Sequence, residues 1–388
     1  MIKRNYLILA CLLIVSVTLL AQPFGVGHTT ATFFDSSRSR NVPTEIYYPA
    51  DSPGESVPVA LGNFPVIVFG HGFLMSWEAY QNFWSALVPD GYVICFPTTE
   101  TGFSPSHENF GADIKFVAAQ MQIENGSSSS IFFDKLSEKT ALMGHSMGGG
   151  ASFLAAKDNP AIHTLINFAA AETTPSAIAA AASVAAPTLM FSGSDDCVTP
   201  PAEHQIPMYN SLAADCKTHI SIIDGAHCYF ADFNFFCNLG ESLCNPSPAI
   251  TREAQQLATF DFLSLWLDYS LLDNLTAFAV FNDSLQSSTR ITFEQMCNTI
   301  GIAEISTDRG IKIFPNPAVD KVNFVVSEEN IGGLMMICNM MGERVYQQQI
   351  LKSEFQMDVS GFTSGLYWVV YFKNESAYTG KFFKTGVR

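Results

Sequence analysis

Basic residues are scarce in this chain of 388: 20 Lys and Arg stand against 36 Asp and Glu, a formal charge of −16. No run of Lys or Arg interrupts that balance, so a polyanion meets repulsion over the whole surface and nucleic acid is excluded as a partner. A long hydrophobic run is also missing. The apolar stretch at residues 7–20 is shorter than the roughly 20 residues a span needs, and no stop-transfer pattern follows it, which excludes a stable membrane span. Neither C-x-x-C nor H-E-x-x-H occurs among the nine cysteines and eight histidines, so the chain offers no metal site and calls for no cofactor. Internal repeats are absent, which removes solenoids and propellers. What remains is enough chain for a large core and about two domains.

The first residues, Met1-Ile2-Lys3-Arg4-Asn5-Tyr6, then the apolar 7–20 and Ala21-Gln22, have the charged, hydrophobic and small-residue parts of a secretory signal. Residues 1–21 are therefore read as a leader, with the mature chain starting near Gln22 and leaving the cytoplasm for the periplasm and beyond. Lipidation at Cys11 is disfavoured, because very little hydrophobic chain precedes it. Without Cys11 the cysteines number eight, at 95, 197, 216, 228, 237, 244, 297 and 338, and an even count in an exported chain favours disulfides. Cys237 and Cys244 are close enough to staple one loop. The partners of Cys197, Cys216 and Cys228 stay open, and Cys338 either pairs across domains or remains free.

From about residue 64 to 269, short apolar runs alternate with helical patterns, as a mostly parallel sheet covered by helices on both faces requires. Strands are expected at 65–69, 93–96, 140–143, 164–168, 188–191 and 220–223, with antiparallel edge strands at 29–34 and 44–48. Helices are expected at 77–87, 110–123, 149–157, 202–213 and 251–267. Residues 273–308 show no strong period and read as a connector with at most a satellite strand, dividing a 22–272 body from a 309–388 tail. From Ile311 the period becomes two, with turns at Asn316-Pro317, Gly332-Gly333, Met341-Gly342 and Ser364-Gly365, and a small β-sandwich is expected there.

Gly144-His145-Ser146-Met147-Gly148 sits between the apolar 140–143 and a helix-forming stretch free of proline. A serine on such a strand-to-helix turn projects its hydroxyl above the carboxyl edge of the sheet, and the flanking glycines let backbone approach closely. Ser146 is thus a candidate nucleophile. Its partners should follow in the order acid, then histidine. His163 precedes any suitable acid, His204 follows Asp196 by too little chain, and His219 lies at the start of a strand. His227, in Asp224-Gly225-Ala226-His227, leaves that strand at the sheet's carboxyl edge and is the candidate base, with Asp224 a turn residue. Of Asp195 and Asp196, past the preceding strand, Asp196 is preferred as the acid and Asp195 as a turn or capping residue. The oxyanion donors would be the backbone N–H of Met147 and that of Phe73 in Gly70-His71-Gly72-Phe73-Leu74, with His71 supporting the loop.

These stretches resemble the α/β-hydrolase superfamily and, within it, the bacterial cutinase-like polyester hydrolases and the chlorophyllase and dienelactone-hydrolase-like group. The resemblance is carried by residues 70–73, 144–150, 186–200 and 206–227 and covers roughly 60–270. It implies an α/β-hydrolase sheet and a Ser146–His227–Asp196 triad. In the polyester hydrolases an aromatic residue follows the first oxyanion glycine, which Phe73 matches. They also carry a Trp on the loop before the acid strand, whereas Ala171-Glu172-Thr173-Thr174-Pro175-Ser176 has none, and this departure weakens the case for aromatic polyesters. Serine at 146 disfavours dienelactone hydrolysis itself. The tail, through Ile313-Phe314-Pro315-Asn316-Pro317-Ala318, Asn339-Met340-Met341-Gly342-Glu343-Arg344-Val345, Gly365-Leu366-Tyr367 and Lys381-Phe382-Phe383-Lys384, resembles the C-terminal sorting domain of type IX secretion. A carbohydrate-binding β-module is the rival, but Trp368 alternates like an ordinary strand residue.

The expectation is a secreted or surface-attached serine carboxylic ester hydrolase whose partners are a small or polymeric ester and the type IX machinery. Short-chain or cutinase-like substrates are favoured. The rivals are a lipase or peptidase on the same triad, and a non-catalytic surface-binding protein on a hydrolase scaffold.

Overall fold

The computed structural model describes residues 23–245, 247–297, 311–327, 331–339, 344–373 and 376–385. The leader with Cys11, connector residues 298–308 and the turn at Met341-Gly342 lie outside the described residues.

The first body is a ten-stranded sheet in the order β10-β9-β8-β7-β6-β4-β5-β2-β1-β3. Its parallel centre is made of β4 (Phe64–Gly70), β5 (Val93–Pro97), β6 (Leu136–His145), β7 (Thr164–Phe168), β8 (Thr188–Gly193) and β9 (Cys216–Ile222). The antiparallel edge predicted near the start is a long hairpin, β1 (Gly25–Asp35) and β2 (Arg40–Ala50), with the two-residue β3 (Gly54–Glu55) beside β1.

Strands buried on both faces send alternate side chains into two separate cores. Val66 and Val68 enter one core, packed with Phe110, Ile114, Val117 and Met121 of α2 (His107–Gly126). Ile67 and Phe69 enter the other, packed with Phe83 of α1 (Gln81–Leu87) and Phe262, Leu263 and Trp266 of α7 (Arg252–Leu272). The buried alanines of α4 (Ala177–Ala181), with Ala151 and Phe153 of α3 (Met147–Ala156) and Met208 and Tyr209 of α5 (Gln205–Ser211), complete the first layer. α4 has no counterpart among the sequence expectations, and α5 is shorter than the expected 202–213. Pro200 and Pro201 hold the preceding backbone in turns and delay α5, since proline removes donors and fixes φ.

The chain past 272 departs from the expected connector. Asn274 caps α8 (Leu275–Ser287) by accepting the Ala277 N–H. Phe278, Phe281 and Leu285 recur at helical spacing and pack on Phe262 and Trp266. β10 (Ile291–Cys297) then pairs antiparallel with β9 over its whole length and forms the edge of the main sheet. The helical period was present in the sequence but was diluted by Asn282, Asp283 and Ser284 on the outer face.

Three disulfides join Cys197 to Cys244, Cys216 to Cys297 and Cys228 to Cys237. The staple expected between Cys237 and Cys244 does not form. These two belong to opposite ends of one short helix, α6 (Phe235–Glu241) and its exit, and each reaches a different loop. Cys216 and Cys297 are direct neighbours in the β9–β10 register. Cys95 and Cys338 carry no disulfide.

The tail forms two antiparallel sheets around its own apolar core, the small sandwich that the period-two pattern predicted. One sheet comprises β11 (Ile311–Phe314), β12 (Lys321–Val326) and β15 (Glu354–Asp358), in the order β11-β12-β15. The other, in the order β14-β13-β16-β17, comprises β13 (Leu334–Cys338), β14 (Arg344–Gln349), β16 (Gly365–Lys373) and β17 (Ser376–Lys384). Val322, Phe324, Met335, Ile337, Val369 and Phe382 fill the space between them. Among the described residues no helix is long and apolar enough to cross a membrane.

If α8 belongs to the core, Phe281→Ala empties a fully buried position and should cost about 3–5 kcal/mol, read as a lower urea midpoint at unchanged slope. An unmoved midpoint would restore the connector reading.

Candidate active site

Ser146 links β6 to α3 with φ 55° and ψ −120°, a region in which a side-chain-bearing residue is strained. Three hydrogen bonds to Ser146 enforce that conformation, and a contact in the next loop lies beside them. The Ser146 N–H donates to Phe168 O, the Ser146 carbonyl accepts from Gly150 N and Ala171 N, and the Thr199 hydroxyl lies 3.2 Å from Ala169 O in the next loop. The two flanking glycines are required sterically. A Cβ on Gly148 would lie 2.1 Å from the carbonyl of Gly70, and one on Gly144 would lie 2.2 Å from Gly148 O. The end of β4 and the start of α3 therefore touch backbone to backbone. This contact places the loop carrying Phe73 beside the start of α3, where the Met147 N–H, as the first of its helix, has no intrahelical acceptor.

The three side chains singled out from the sequence meet at the carboxyl edge of the sheet. Ser146 Oγ lies 2.9 Å from His227 Nε2, and His227 Nδ1 lies 2.8 Å from Asp196 Oδ2. Asp196 and His227 are almost wholly buried, and Ser146 is 9% exposed. The ring nitrogens then have fixed roles: Nδ1–H donates to the carboxylate, and Nε2 accepts from the serine hydroxyl.

A buried carboxylate survives as a charge only when its oxygens are bonded. Asp196 Oδ1 accepts the N–H groups of Val198 and Thr199, while Oδ2 accepts the Thr199 hydroxyl as well as His227. Burial alone would raise its pKa, but the charge of His227 and these hydrogen bonds outweigh that penalty and hold it below the ordinary carboxylate value. Thr199 Oγ1 also lies 3.0 Å from His227 Nδ1 and accepts from Gln205 Nε2. Asp195, the alternative acid, accepts from the Ser194 hydroxyl beside it, whereas the His227 ring bonds Asp196.

A second chain of bonds runs behind the site. The Gly72 N–H donates to the Tyr80 hydroxyl, which donates to His145 Nδ1, and His145 Nε2–H donates to the carbonyl of His227. Burial lowers the pKa of His145 to about 3, so it remains the neutral tautomer this relay requires. The loop at Gly72 and the backbone of His227 are thereby connected through one elbow residue. His71 lies with Nδ1 near Gly72 O and Nε2 near Thr99 O, consistent with support of the loop.

The remaining histidines have other partners. His163 Nδ1 accepts from Thr140 N, His204 Nδ1 accepts from Glu172 N, and His219 bonds Ser192. Asp224 adopts φ 58° in a turn. Sequence reasoning missed Thr199 and Tyr80. Only Thr199 left a local signal, an Asp followed three residues later by a hydroxyl residue, as in a side-chain-capped turn. Phe73, Phe103, Phe233, Phe235 and Phe236 are exposed rings, with Phe103 edge-on to Phe236.

The sheet order, the helices on both faces and the strand-to-helix turn at Ser146 are those of an α/β hydrolase. Residues 16–240, more than half of the chain, match the family model described as PET hydrolase-like, and the chain belongs to that family. Residues 312–385 match the secretion system C-terminal sorting domain, of the type IX kind, which marks the chain for secretion or cell-surface export. The disulfides suit that compartment. Over 109 residues, 28% of the chain, it is 34% identical to Cutinase 1 of Thermobifida cellulosilytica and, equally, to Cutinase of Thermobifida fusca (strain YX). The match spans 40% and 35% of those proteins' lengths.

Gly148→Ala should destabilise the fold by about 3 kcal/mol or more, because the Gly70–His71 backbone against the new methyl cannot yield. Gly102→Ala, with open space around it, should stay within about 0.5 kcal/mol. Equal denaturation midpoints for the two variants would contradict the close contact between β4 and α3.

Proposed function

We propose that this chain is an exported serine hydrolase of carboxylic esters that works through an acyl-enzyme. The reading is carried by the Ser146–His227–Asp196 alignment at 2.9 and 2.8 Å on a strained elbow, and membership of the PET hydrolase-like family supports it. Ser146 attacks the ester carbonyl while His227 Nε2 takes its proton. Asp196 keeps Nδ1 protonated and stabilises the imidazolium. The N–H groups of Met147 and Phe73 receive the oxyanion. His227 then returns the proton to the leaving alcohol, and water deacylates Ser146 by the reverse sequence.

The catalytic body extends to Cys297 rather than ending at 272, since α8 and β10 belong to its core and sheet. The tail from 311 carries none of the proposed catalytic residues and serves recognition by the type IX machinery. Short acyl esters are the favoured substrates. Loop 171–176 lacks a Trp to face Phe73, and each added methylene gains about 0.8 kcal/mol only where a wall buries it.

Ser146→Ala and His227→Ala should each lower ester turnover by several orders of magnitude, leaving oxyanion-hole catalysis on the order of 10³ over water. A folded variant of either kind that keeps a tenth of wild-type kcat removes the triad assignment. Fluorophosphonate labelling of Ser146 separates the enzyme from a non-catalytic binder. As the base must be neutral, kcat/KM falls as pH drops through the histidine's ionisation. Asp196, held below its ordinary value, stays charged over that range, and a profile flat from about pH 5 to 8 would exclude a histidine base.

A panel of p-nitrophenyl esters tests acyl preference, and long chains cleaved faster than short ones would reverse it. In the native host, deletion of residues 311–388 should leave the enzyme in the periplasm. Its appearance in the medium at wild-type levels would defeat the sorting role.

A further inference from the structure

One buried carboxylate touches the backbone of the candidate base and has no part in the chemistry assigned above. Glu241 closes α6 with 6% of its surface exposed. Its Oε1 accepts the His227 N–H at 2.6 Å, and its Oε2 accepts the Cys228 N–H at 3.0 Å. A carboxylate that spans two successive N–H groups fixes the backbone there in two directions, and such charge-assisted bonds are about twice as strong as neutral ones.

The helix that delivers this group is turned inside out. Phe235, Phe236 and Leu239 are exposed, while Glu241 faces inward. An apolar face in water and a carboxylate beneath it is not an arrangement that burial alone selects. Covalent bonds hold it: Cys237 is joined to Cys228, next to the base, and Cys244 is joined to Cys197, next to the acid. Both catalytic loops are thus tied to the one short helix that carries Glu241.

The charged and titratable groups facing the Glu241–His227 pair come from four elements. Asp196 comes from the loop after β8, and His145, neutral in its relay, from the end of β6. Arg252 comes from the start of α7, with Tyr229 and Asp232, from the segment after His227, near its guanidinium. Arg252 is engaged by the carbonyls of Cys228 and Ala231 and by Asn238 Oδ1.

We propose that Glu241 is a positioning residue for ester hydrolysis: it fixes His227 through the backbone and supplies a second buried negative charge, beside Asp196, that stabilises the imidazolium formed as Ser146 is acylated. This rests on the serine-triad reading. Burial raises the Glu241 carboxyl from its ordinary value, while the Cys228 and His227 N–H groups and the charge of His227 oppose that rise. Loss of the charge leaves Arg252 with fewer counter-charges, Asp232 and Glu253 remaining, and that too disfavours the imidazolium.

The test compares full-length wild type, Glu241→Gln, Glu241→Asp and Ser146→Ala on a water-soluble short-chain p-nitrophenyl ester across pH. Glu241→Gln should lower kcat about tenfold or more, as a displaced base does, with KM within about twofold. It should also move the acid limb of kcat/KM to lower pH by about half a unit or more. Glu241→Asp keeps the charge, so its acid limb stays at the wild-type position and part of the kcat returns. A smaller kcat loss in Glu241→Gln overturns the proposal. So does a loss with the acid limb unmoved, which is what altered packing alone would give. Should Glu241→Gln fail to fold, Glu241→Asp decides: full wild-type kcat, or an acid limb moved although the charge is kept, overturns the proposal. A wild type that neither turns over the ester nor is labelled at Ser146 sinks the triad reading itself, whereas an active wild type beside an indifferent Glu241→Gln sinks only the role of Glu241.

Discussion

Backbone contact between Gly70 and Gly148 is the constraint on which the rest of the site depends. At that point two parallel strands, β4 and β6, deliver their loops to one place, and no side chain fits between them. The strained backbone of Ser146 persists because the surrounding hydrogen bonds determine it from both sides. Each polar member of the site is positioned relative to that contact. The Phe73 loop leaves from one partner and α3 from the other, and His145, between them, reaches both Tyr80 and the His227 carbonyl.

Electrostatics adds a second layer, in which burial is offset bond by bond. Asp196 keeps its charge in a nearly dry site because four donors converge on its two oxygens. His145 loses its charge because burial outweighs its hydrogen bond to the His227 carbonyl. The two outcomes are complementary: a neutral His145 in the relay adds no positive charge beside His227 and Asp196.

Much of this was legible in the sequence. Alternating apolar runs located the six central strands, because strands buried on both faces leave few polar residues to confuse the pattern. Gly144 to Gly148 marked the elbow, and chain order with placement at the sheet's carboxyl edge picked His227 as the candidate among four downstream histidines. The helix at 275–287 and its strand were missed since an amphipathic helix with a polar outer face and a half-exposed edge strand look like loop when read residue by residue. Glu241 was not legible at all. It reaches the base only after α6 folds back under two disulfides whose pairing depends on the tertiary fold. Spacing suggested Cys237 with Cys244 instead, because proximity in sequence takes no account of which way a helix end points.

The edge strand β10 has a consequence for how load travels through the molecule. The sorting tail begins at 311, and the last described residue of the catalytic body before it is Cys297, bonded to Cys216 in the adjacent β9. Tension drawn through the tail by an export machine therefore enters the body at a covalent cross-link between neighbouring strands. Peeling β10 from the sheet, the mechanically weak direction for an antiparallel edge, is blocked at its first step, and the strain passes to β9, whose far end leads into the His227 loop.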